Sequence, residues 1–304
     1  MKLYNKYSDY LKLKYGEKVY KLPVNLPCTC PNRDGTLGYG GCTFCADVGT
    51  GFEMLDNSLS VKEQLNRNME YIAKKYKANK FIAYFQNYTN TYMDTDRFKD
   101  YISDAIMDNI VEIAISTRPD CISDEKLEFL NEIKTQNVNI TIELGLQTVN
   151  YHTLHTINRG HTLAEFIDSV LRIKRYNFEI CAHIILNLPG DTISDTVETA
   201  KILSALKIDQ VKIHSLYIME NTEMGRAYKN NEIELISKDE YVERVVVFLE
   251  YLDKNIVVQR LVGRAPKENS LFVNWGMSWW KIKDEILYKM EFENRYQGSK
   301  NKFD

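Results

Sequence analysis

The chain has 304 residues, a net charge of −3 at pH 7 and 44% hydrophobic residues, as expected for a globular protein with at least one large domain. It lacks an apolar run of 18 residues and its N-terminus lacks the apolar core of a signal peptide, so we expect no membrane segment and a cytoplasmic protein. The near-neutral charge argues against a protein that coats nucleic acid non-specifically.

Short β-branched or apolar runs alternate with longer segments of helical periodicity along most of the chain. The predicted strands cover 19–26, 80–86, 111–117, 138–147, 178–189 and 208–218. The predicted helices between them cover 60–76, 94–109, 123–136, 162–176 and 194–207. Thr162 and Glu165 have the spacing of a capping box. Six strands alternating with helices predict an α/β fold with a parallel sheet and helices outside.

The last part of the chain is predicted as a separate, α-rich extension (237–304) that follows a core of residues 1–236. A helix at 238–255, a short strand at 256–261 and a terminal helix at 281–296 are expected there. Lysines and arginines cluster at 254–267 and also at 62–80. We interpret both clusters as solvated helix and loop surface.

Polar residues stand where the predicted strands end. These positions are Gln86 and Asn87, Thr117 and Arg118, Gln147, Asn187 and Gly190, and His214 and Ser215. In folds of parallel strands connected by helices, functional residues lie at the carboxyl ends of the strands. The sequence therefore predicts one site formed by these strand ends.

Four of the six cysteines lie within the eighteen residues from Cys28 to Cys45. Cys30, Cys42 and Cys45 have the spacing C-x11-C-x2-C, and no histidine lies nearby. A structural zinc site normally has four protein ligands, whereas a cubane iron–sulfur cluster held by three thiolates leaves one iron open. A zinc site and a loop without metal remain open alternatives. The other three cysteines share no paired spacing, so a second cluster is not expected.

The segment CPNRDGTLGYGGCTFC resembles the cluster loop of radical S-adenosylmethionine enzymes, most closely the YhcC-like family related to the radical domain of the Elongator catalytic subunit. Further segments resemble this family in the same order: AYFQNYTNTY, STRPDCIS, ELGLQT, NRGHT, HIILNLPGDT, KIHSLYIMENTEMG and RLVGRAPKENSLFVNWGMSWW. The resemblance implies the partial (β/α)6 TIM-like barrel of radical S-adenosylmethionine enzymes. It also implies two cofactors, a [4Fe-4S] cluster and S-adenosylmethionine.

The same resemblance implies roles for individual residues but identifies no catalytic side chain. Cys30, Cys42 and Cys45 would bind the cluster. Residues expected near S-adenosylmethionine are Phe44, Gln86, Asn87, Thr89, Asn90, Arg118, Glu143, Gln147, His183 and Leu188. The departure of residues 87–91 from the common Gly-Gly-Glu pattern leaves individual roles there open.

Three of these residues, and also His214, have structural alternatives. Glu143 could form a salt bridge to a lysine or arginine, and Phe44 could simply pack in its loop. His183 and His214 could be hydrogen-bonded core residues.

The resemblance further implies a substrate in transfer RNA, namely wobble 5-carboxymethylaminomethyluridine on its way to 5-aminomethyluridine. Partners would then be tRNA and an electron donor such as flavodoxin or ferredoxin. Two alternatives remain open, a radical enzyme that acts on a small molecule or a protein and a non-catalytic iron–sulfur regulatory protein. A regulatory protein needs the cysteines but not Arg118, Glu143 and Gln147 around a common cavity.

Overall fold

The computed structural model of the protein describes residues 2–46, 54–265 and 268–302. Its main element is a curled, parallel seven-stranded sheet. The strands are β1 Val19–Val24, β2 Lys80–Phe85, β3 Ile110–Thr117, β4 Asn139–Gln147, β5 Glu179–Ile185, β6 Gln210–His214 and, later in the chain, β8 Val257–Arg260. They are hydrogen-bonded in the order β1-β2-β3-β4-β5-β6-β8. An antiparallel pair, β7 Tyr217–Met219 and β9 Ser270–Val273, is separate from this sheet.

Helices connect the strands and pack against the sheet. They are α1 Tyr7–Tyr15, α2 Val61–Tyr76, α3 Thr95–Asp104, α4 Asp124–Lys134, α5 Tyr151–Thr156, α6 Leu163–Lys174, α7 Ile193–Ala205, α8 Glu223–Lys229, α9 Lys238–Tyr251 and α10 Trp279–Phe292. The capping box of Thr162 and Glu165 is present at the start of α6 and satisfies backbone N–H groups of the first turn. No helix in the described ranges is both long and apolar enough to cross a bilayer.

The strands are buried along nearly their whole length, as expected for a parallel sheet covered by helices. Apolar side chains of β1 to β6, α2 to α4, α6 and α7 form one continuous core. This arrangement confirms the predicted partial TIM-like barrel and all six predicted strands.

The run predicted as one strand at 208–218 divides into β6 and β7. The backbone N–H of Leu216 donates to Oδ1 of Asn187 over 2.7 Å, and the Ser215 hydroxyl donates to Oδ1 of Asn274 over 2.6 Å. These side-chain bonds interrupt the strand just after His214.

The predicted extension contributes to the same sheet and the same core. β8 pairs with β6 as the seventh strand, and apolar residues of α9 and α10, such as Phe248 and Ile286, belong to the continuous core. The boundary between two domains at residue 237 therefore stays a prediction, and the apolar core contains residues from both sides of it.

The sequence reading did not predict α1, which lies against the amino-terminal ends of the strands. Leu11 of α1 packs with Ile82 and Tyr84. Tyr15 donates a hydrogen bond of 2.6 Å to Glu112 near the start of β3, and Lys14 forms an ion pair of 2.5 Å with Glu179 at the start of β5. α1 thus closes the end of the half-barrel opposite the strand carboxyl ends.

Candidate active site in the half-barrel

A cavity of about 480 Å³ lies inside the half-barrel, toward the carboxyl ends of the strands. Its walls include all three predicted cluster ligands and most of the residues predicted to bind S-adenosylmethionine. These are Cys30, Cys42, Cys45, Phe44, Gln86, Thr89, Arg118, Glu143, Gln147 and His183. The curvature of the sheet therefore brings together residues from four strands, β2 to β5, and from the cysteine loop.

The cysteine loop is anchored by backbone hydrogen bonds. Thr43 N–H donates to the carbonyl of Ile157 over 3.0 Å, and Cys45 N–H donates to the carbonyl of Cys42 over 2.8 Å. Gly41 has φ of +89° and its missing Cβ leaves room for the side chain of Arg33, whose Cγ would lie 3.2 Å from a Cβ there. Glycine is thus required at this turn.

Two guanidinium groups point at the sulfur atoms of the loop. Arg33 Nη1 lies 3.6 Å from Sγ of Cys45, and Arg159 Nη1 lies 3.5 Å from Sγ of Cys42. Burial raises the pKa of Cys45 to about 11, and Arg33 opposes that rise. Cations beside the sulfurs favour the thiolate form that binds metal.

The spacing of the three sulfurs fits a cluster better than a single ion. Ligands of one tetrahedral zinc lie about 2.3 Å from the metal and so close to each other. Among the described residues, the potential metal ligands of Glu143, Cys181 and His183 all lie within 4.8 Å of one another. The sulfur atoms of the three loop cysteines do not meet this criterion. At least one pair of the loop sulfurs is therefore more than 4.8 Å apart, which is wider than the ligands of one tetrahedral zinc.

Arg159 joins the cysteine loop to β4. Its Nη2 donates to the carbonyl of Gly145 over 2.6 Å, while its carbonyl accepts from Nη1 of Arg118 over 2.8 Å. Its buried Nε has no partner in the described structure. This orphan donor beside Cys42 is consistent with an anionic group bound at the cavity wall.

Arg118 is almost completely buried and already pairs with a carboxylate. Its Nε and Nη2 each donate to Asp120 over 2.9 Å. The carboxylate that this guanidinium binds therefore comes from the same chain, two residues further on. Arg118 lines the cavity as the rigid neighbour of Cys30, whose Sγ lies 4.0 Å from its Nη1.

Glu143 lies at the floor of the cavity, with its carboxylate fully engaged. Lys21 forms an ion pair with one oxygen, and Lys212 and His183 contact the other over 2.7 and 2.6 Å. Burial alone would raise the pKa of Glu143, but Lys21 and Lys212 hold it well below its usual value. The salt-bridge alternative for Glu143 is therefore the one observed, and a direct bond from this carboxylate to S-adenosylmethionine is not supported.

His183 and His214 lie side by side above this ion pair, with ring centroids 5.1 Å apart. Burial and the nearby Lys212 lower the pKa of His183 to about 4, and burial and Arg260 lower that of His214 well below its usual value. Both rings are neutral near pH 7. The hydrogen-bonded alternative is found for both, since His183 contacts Glu143 and His214 contacts Nη2 of Arg260 over 2.6 Å.

Phe44 and Gln147 both face the cavity. Phe44 packs against a second apolar cluster that includes Leu188, which agrees with the loop-packing alternative and leaves its role toward adenine a prediction. Gln147 has φ of +75° at the end of β4, next to an irregularity in the pairing with β5. This backbone geometry turns its side chain toward the same cavity as Glu143.

Three residues predicted to contact S-adenosylmethionine are not part of the cavity lining. The amide of Asn90 donates to the carbonyls of Phe85 and Ser116 over 3.0 and 2.9 Å and so ties β2 to β3. Asn87 donates to Oδ1 of Asn25 over 3.3 Å, and Leu188 packs in the second apolar cluster. Each is buried in a structural contact, and a role for these three toward S-adenosylmethionine stays a prediction.

Several charged residues of the site escaped prediction. Lys21, Lys212 and Arg260 line the cavity floor around Tyr84. The interpretation of 254–267 as solvated surface is wrong for Arg260, which is half-buried and faces the cavity, whereas Arg264 also lines the cavity but is exposed. A charged residue within an apolar strand is the signal that could have identified Lys21 and Lys212, because such a residue is costly to bury without a partner.

Comparison with known families agrees with this geometry. Residues 28–203 match the Radical SAM superfamily, and residues 208–291 match the Radical_SAM C-terminal domain. In structure, the archaeal Elp3 of Methanocaldococcus infernus has a TM-score of 0.67 and 17% identity, covering 92% of this chain and 64% of that one.

Full-length relatives are also found. The chain is 33% identical to YtqA of Bacillus subtilis over 98% of its length and 92% of the relative's. It is 31% identical to YhcC of Escherichia coli K12 over 98% of its length and 95% of the relative's. A shorter match, 25% identical over 51% of this chain and 29% of the relative, is to a tRNA uridine(34) acetyltransferase of Methanocaldococcus jannaschii.

The cysteine loop, the half-barrel and these matches lead to the same assignment, with a [4Fe-4S] cluster and S-adenosylmethionine as cofactors. The chain belongs to the radical S-adenosylmethionine superfamily of enzymes, in the family that includes YhcC.

Proposed function

We propose that this enzyme modifies the wobble uridine of tRNA and converts 5-carboxymethylaminomethyluridine into 5-aminomethyluridine. The observation that carries the catalytic part is the common cavity of the three loop cysteines, Arg118, Glu143 and Gln147. A regulatory iron–sulfur protein needs a cluster site but not such a cavity beside it. A buried cavity with a few polar groups is instead typical of a substrate site.

The choice of tRNA is supported by the relatives. The name of the M. jannaschii relative specifies tRNA uridine(34), and that match covers about half of this chain. The Elp3 structure has the same half-barrel over 92% of the chain. Removal of a hydrogen atom from the CH2 group between the secondary amine and the carboxylate suits radical chemistry, because both neighbours stabilise the resulting carbon radical. Loss of one more electron to the electron-transfer partner and of a proton to water would give an imine, which water would cleave into the primary amine and glyoxylate.

The residues of the cavity have distinct tasks in this proposal. When bound, the cluster and S-adenosylmethionine supply a carbon-centred radical that can remove a hydrogen atom from the substrate. The three cysteines hold the cluster, and Arg33 and Arg159 stabilise their thiolates. Phe44 and the apolar cluster behind it exclude water from one wall. An electron donor such as flavodoxin or ferredoxin would provide the reducing electron.

A radical enzyme acting on a small molecule or protein is the second candidate. The cavity lined by the residues expected to hold the cofactors does not by itself select RNA over a small molecule. The two candidates differ in whether turnover depends on RNA.

The test is an anaerobic assay of the full chain reconstituted with iron and sulfide. S-adenosylmethionine, a strong reductant and tRNA carrying the carboxymethylaminomethyl group are added, and deoxyadenosine and the tRNA nucleosides are quantified by mass spectrometry. We expect deoxyadenosine and 5-aminomethyluridine to rise together, with Cys42→Ala as the inactive control. Deoxyadenosine formation that is indifferent to the RNA would favour the second candidate, and none from a fully loaded protein would favour a regulatory protein.

A further inference from the structure

The floor of the cavity carries more positive than negative charge. Lys21, Lys212 and Arg260 meet there, and Glu143 is the acidic residue of the cavity lining among the described residues. Lys212 is 7% exposed and the Glu143 side chain is inaccessible to solvent, so water screens these charges poorly. His183 and His214 are neutral near pH 7 and do not change the balance.

Glu143 cannot neutralise all three cations. Its two oxygens are already engaged by Lys21, Lys212 and His183. Arg260 contacts the imidazole of His214 instead of a carboxylate, and its buried Nε lacks a partner in the described structure. Burial lowers the pKa of Arg260. Arg260 is half-buried at the cavity wall, where a cation that contacts no carboxylate is poorly compensated, which favours a ligand that supplies negative charge.

The cations are also held in fixed positions. The ammonium groups of Lys21 and Lys212 lie over the ring of Tyr84, 4.6 and 4.4 Å from its centroid. The Tyr84 hydroxyl accepts from Lys212 over 2.9 Å and from Ser116 over 3.0 Å, and Gln259 accepts from Lys21 over 3.0 Å. Such preorganisation reduces the entropy lost when an anion binds.

The charged residues of the floor do not form a site for a metal cation. Glu143, Cys181 and His183 come within 4.8 Å of one another and could in principle hold one. However, both oxygens of Glu143 are bonded to ammonium or imidazole groups, and the surrounding charge repels a cation. Burial also raises the pKa of Cys181 strongly, which keeps it a thiol.

We propose that the floor binds the terminal carboxylate of the substrate through Arg260 and the two lysines. α1 closes the half-barrel below these residues, as its ion pair with Glu179 and hydrogen bond to Glu112 show. An anionic group can therefore reach the floor only from the open side of the cavity, and only if it stands at the end of the molecule that carries it. A terminal carboxylate can do so, whereas an RNA phosphodiester is flanked by sugars on both sides. The planar guanidinium of Arg260 matches a carboxylate well.

This inference rests on the proposed function for the identity of the substrate, since the carboxymethyl group of the wobble uridine ends in such a carboxylate. It adds a residue assignment that the comparisons do not contain. The floor would distinguish the carboxymethylaminomethyl base from the aminomethyl product, which lacks the negative charge and would be released.

The first test measures the thermal unfolding midpoint of the cluster-loaded full chain with S-adenosylmethionine saturating in every sample, so that its own carboxylate is constant. Acetate and N-methylglycine are compared with inorganic phosphate at equal ionic strength. We expect the two carboxylates to raise the midpoint of the wild type and phosphate to do so much less. Equal stabilisation by phosphate, or none by carboxylates, would overturn the proposal.

Arg260→Met is the test variant, and Arg226→Met is its matched control, because Arg226 is exposed and pairs with Glu232 on the surface. Arg260→Met should lose the carboxylate-dependent shift, while its midpoint without anion is unchanged or higher because an uncompensated buried charge has been removed. A structural arginine would show the reverse, a lower midpoint with the shift retained. If Arg260→Met does not fold, Arg260→Gln and the charge-preserving Arg260→Lys are compared for the same shift.

The tRNA assay separates this inference from the proposed function. We expect Arg260→Met to raise the KM for tRNA by tenfold or more, with Arg226→Met unchanged. Conversion of tRNA by Arg260→Met with an unaltered KM would refute the proposed carboxylate site without affecting the proposed function. Arg260-dependent stabilisation by carboxylates, without any tRNA conversion by the wild type, would leave the site intact and remove the function.

Discussion

The guanidinium of Arg159 occupies the space that a side chain on Gly145 would need. Its Nη2 would lie 2.7 Å from a Cβ at residue 145, and it donates to the Gly145 carbonyl over 2.6 Å. The same guanidinium reaches Sγ of Cys42 through Nη1. The absence of a side chain at one position of β4 therefore determines the environment of a cluster ligand.

We expect Gly145→Ala to displace Arg159 from Cys42 and to lower the iron content of the reconstituted protein, with overpacking costing about 1–3 kcal/mol of stability. Iron per chain and the electron paramagnetic resonance signal of the reduced cluster measure the effect. Gly263→Ala is the control, since a Cβ there would make ordinary contacts of 3.5 Å with Ser215. Full iron loading of Gly145→Ala would show that Arg159 does not support the cluster.

A second prediction separates ligating from structural cysteines. Alanine at Cys30, Cys42 or Cys45 should abolish cluster binding, because each removes one of three thiolates. Cys28→Ser should retain it. Cys28 donates weakly to the Asn87 carbonyl over 3.6 Å, and burial raises its pKa to about 12, which keeps it protonated. Absorbance near 400 nm after anaerobic reconstitution distinguishes them, and loss of the cluster in Cys28→Ser would contradict the assignment.

The cysteine loop could be predicted as a cluster site from sequence because the segment that resembles radical S-adenosylmethionine enzymes is short and continuous. Cys30, Cys42 and Cys45 lie within sixteen residues, and their glycine-rich surroundings are visible in the sequence. The alternation of strands and helices was equally local, so periodicity predicted a parallel sheet covered by helices, whereas its form as a partial barrel was implied by the family resemblance.

The cavity floor could not be found in this way, because it depends on contacts between distant strands. Lys21 and Glu143 are 122 residues apart, and Lys212 is 69 residues from Glu143. Only the curvature of the sheet brings β1, β4 and β6 together, and periodicity does not give the partner of a buried charge. For the same reason Arg260 was taken for a surface residue.

A third prediction concerns the stability of the floor. Glu143→Gln leaves Lys21 and Lys212 buried without a counter-ion, so we expect a loss of about 3–5 kcal/mol in the free energy of unfolding. Urea denaturation measures it. Glu232→Gln removes an exposed carboxylate that pairs with Arg226 over 3.3 Å and should cost less than about 1 kcal/mol. Similar losses in both variants would mean that the floor charges are better solvated than the structure indicates.

The last prediction concerns Asp191, in the turn between β5 and α7. Its buried Oδ1 has no hydrogen-bond partner in the described part of the chain, and burial raises its pKa to about 6 from an ordinary value of 3.8. Between these two pH values the folded chain binds more protons at this group than the unfolded chain does. Its contribution to stability therefore falls as the pH rises from about 4 to 6.

Asp191→Asn removes this ionisation while preserving the shape of the side chain. We expect the variant to be more stable than the wild type at pH 7, by about 1–3 kcal/mol, since one pKa unit corresponds to about 1.4 kcal/mol. The two proteins should converge toward pH 4. Urea denaturation across this range measures the difference, with Asp239→Asn as control because the Asp239 side chain is 88% exposed. A difference in the free energy of unfolding that is the same at all pH values would show that Asp191 acts through packing. Only an ionising carboxylate makes this difference disappear as the pH falls toward 4.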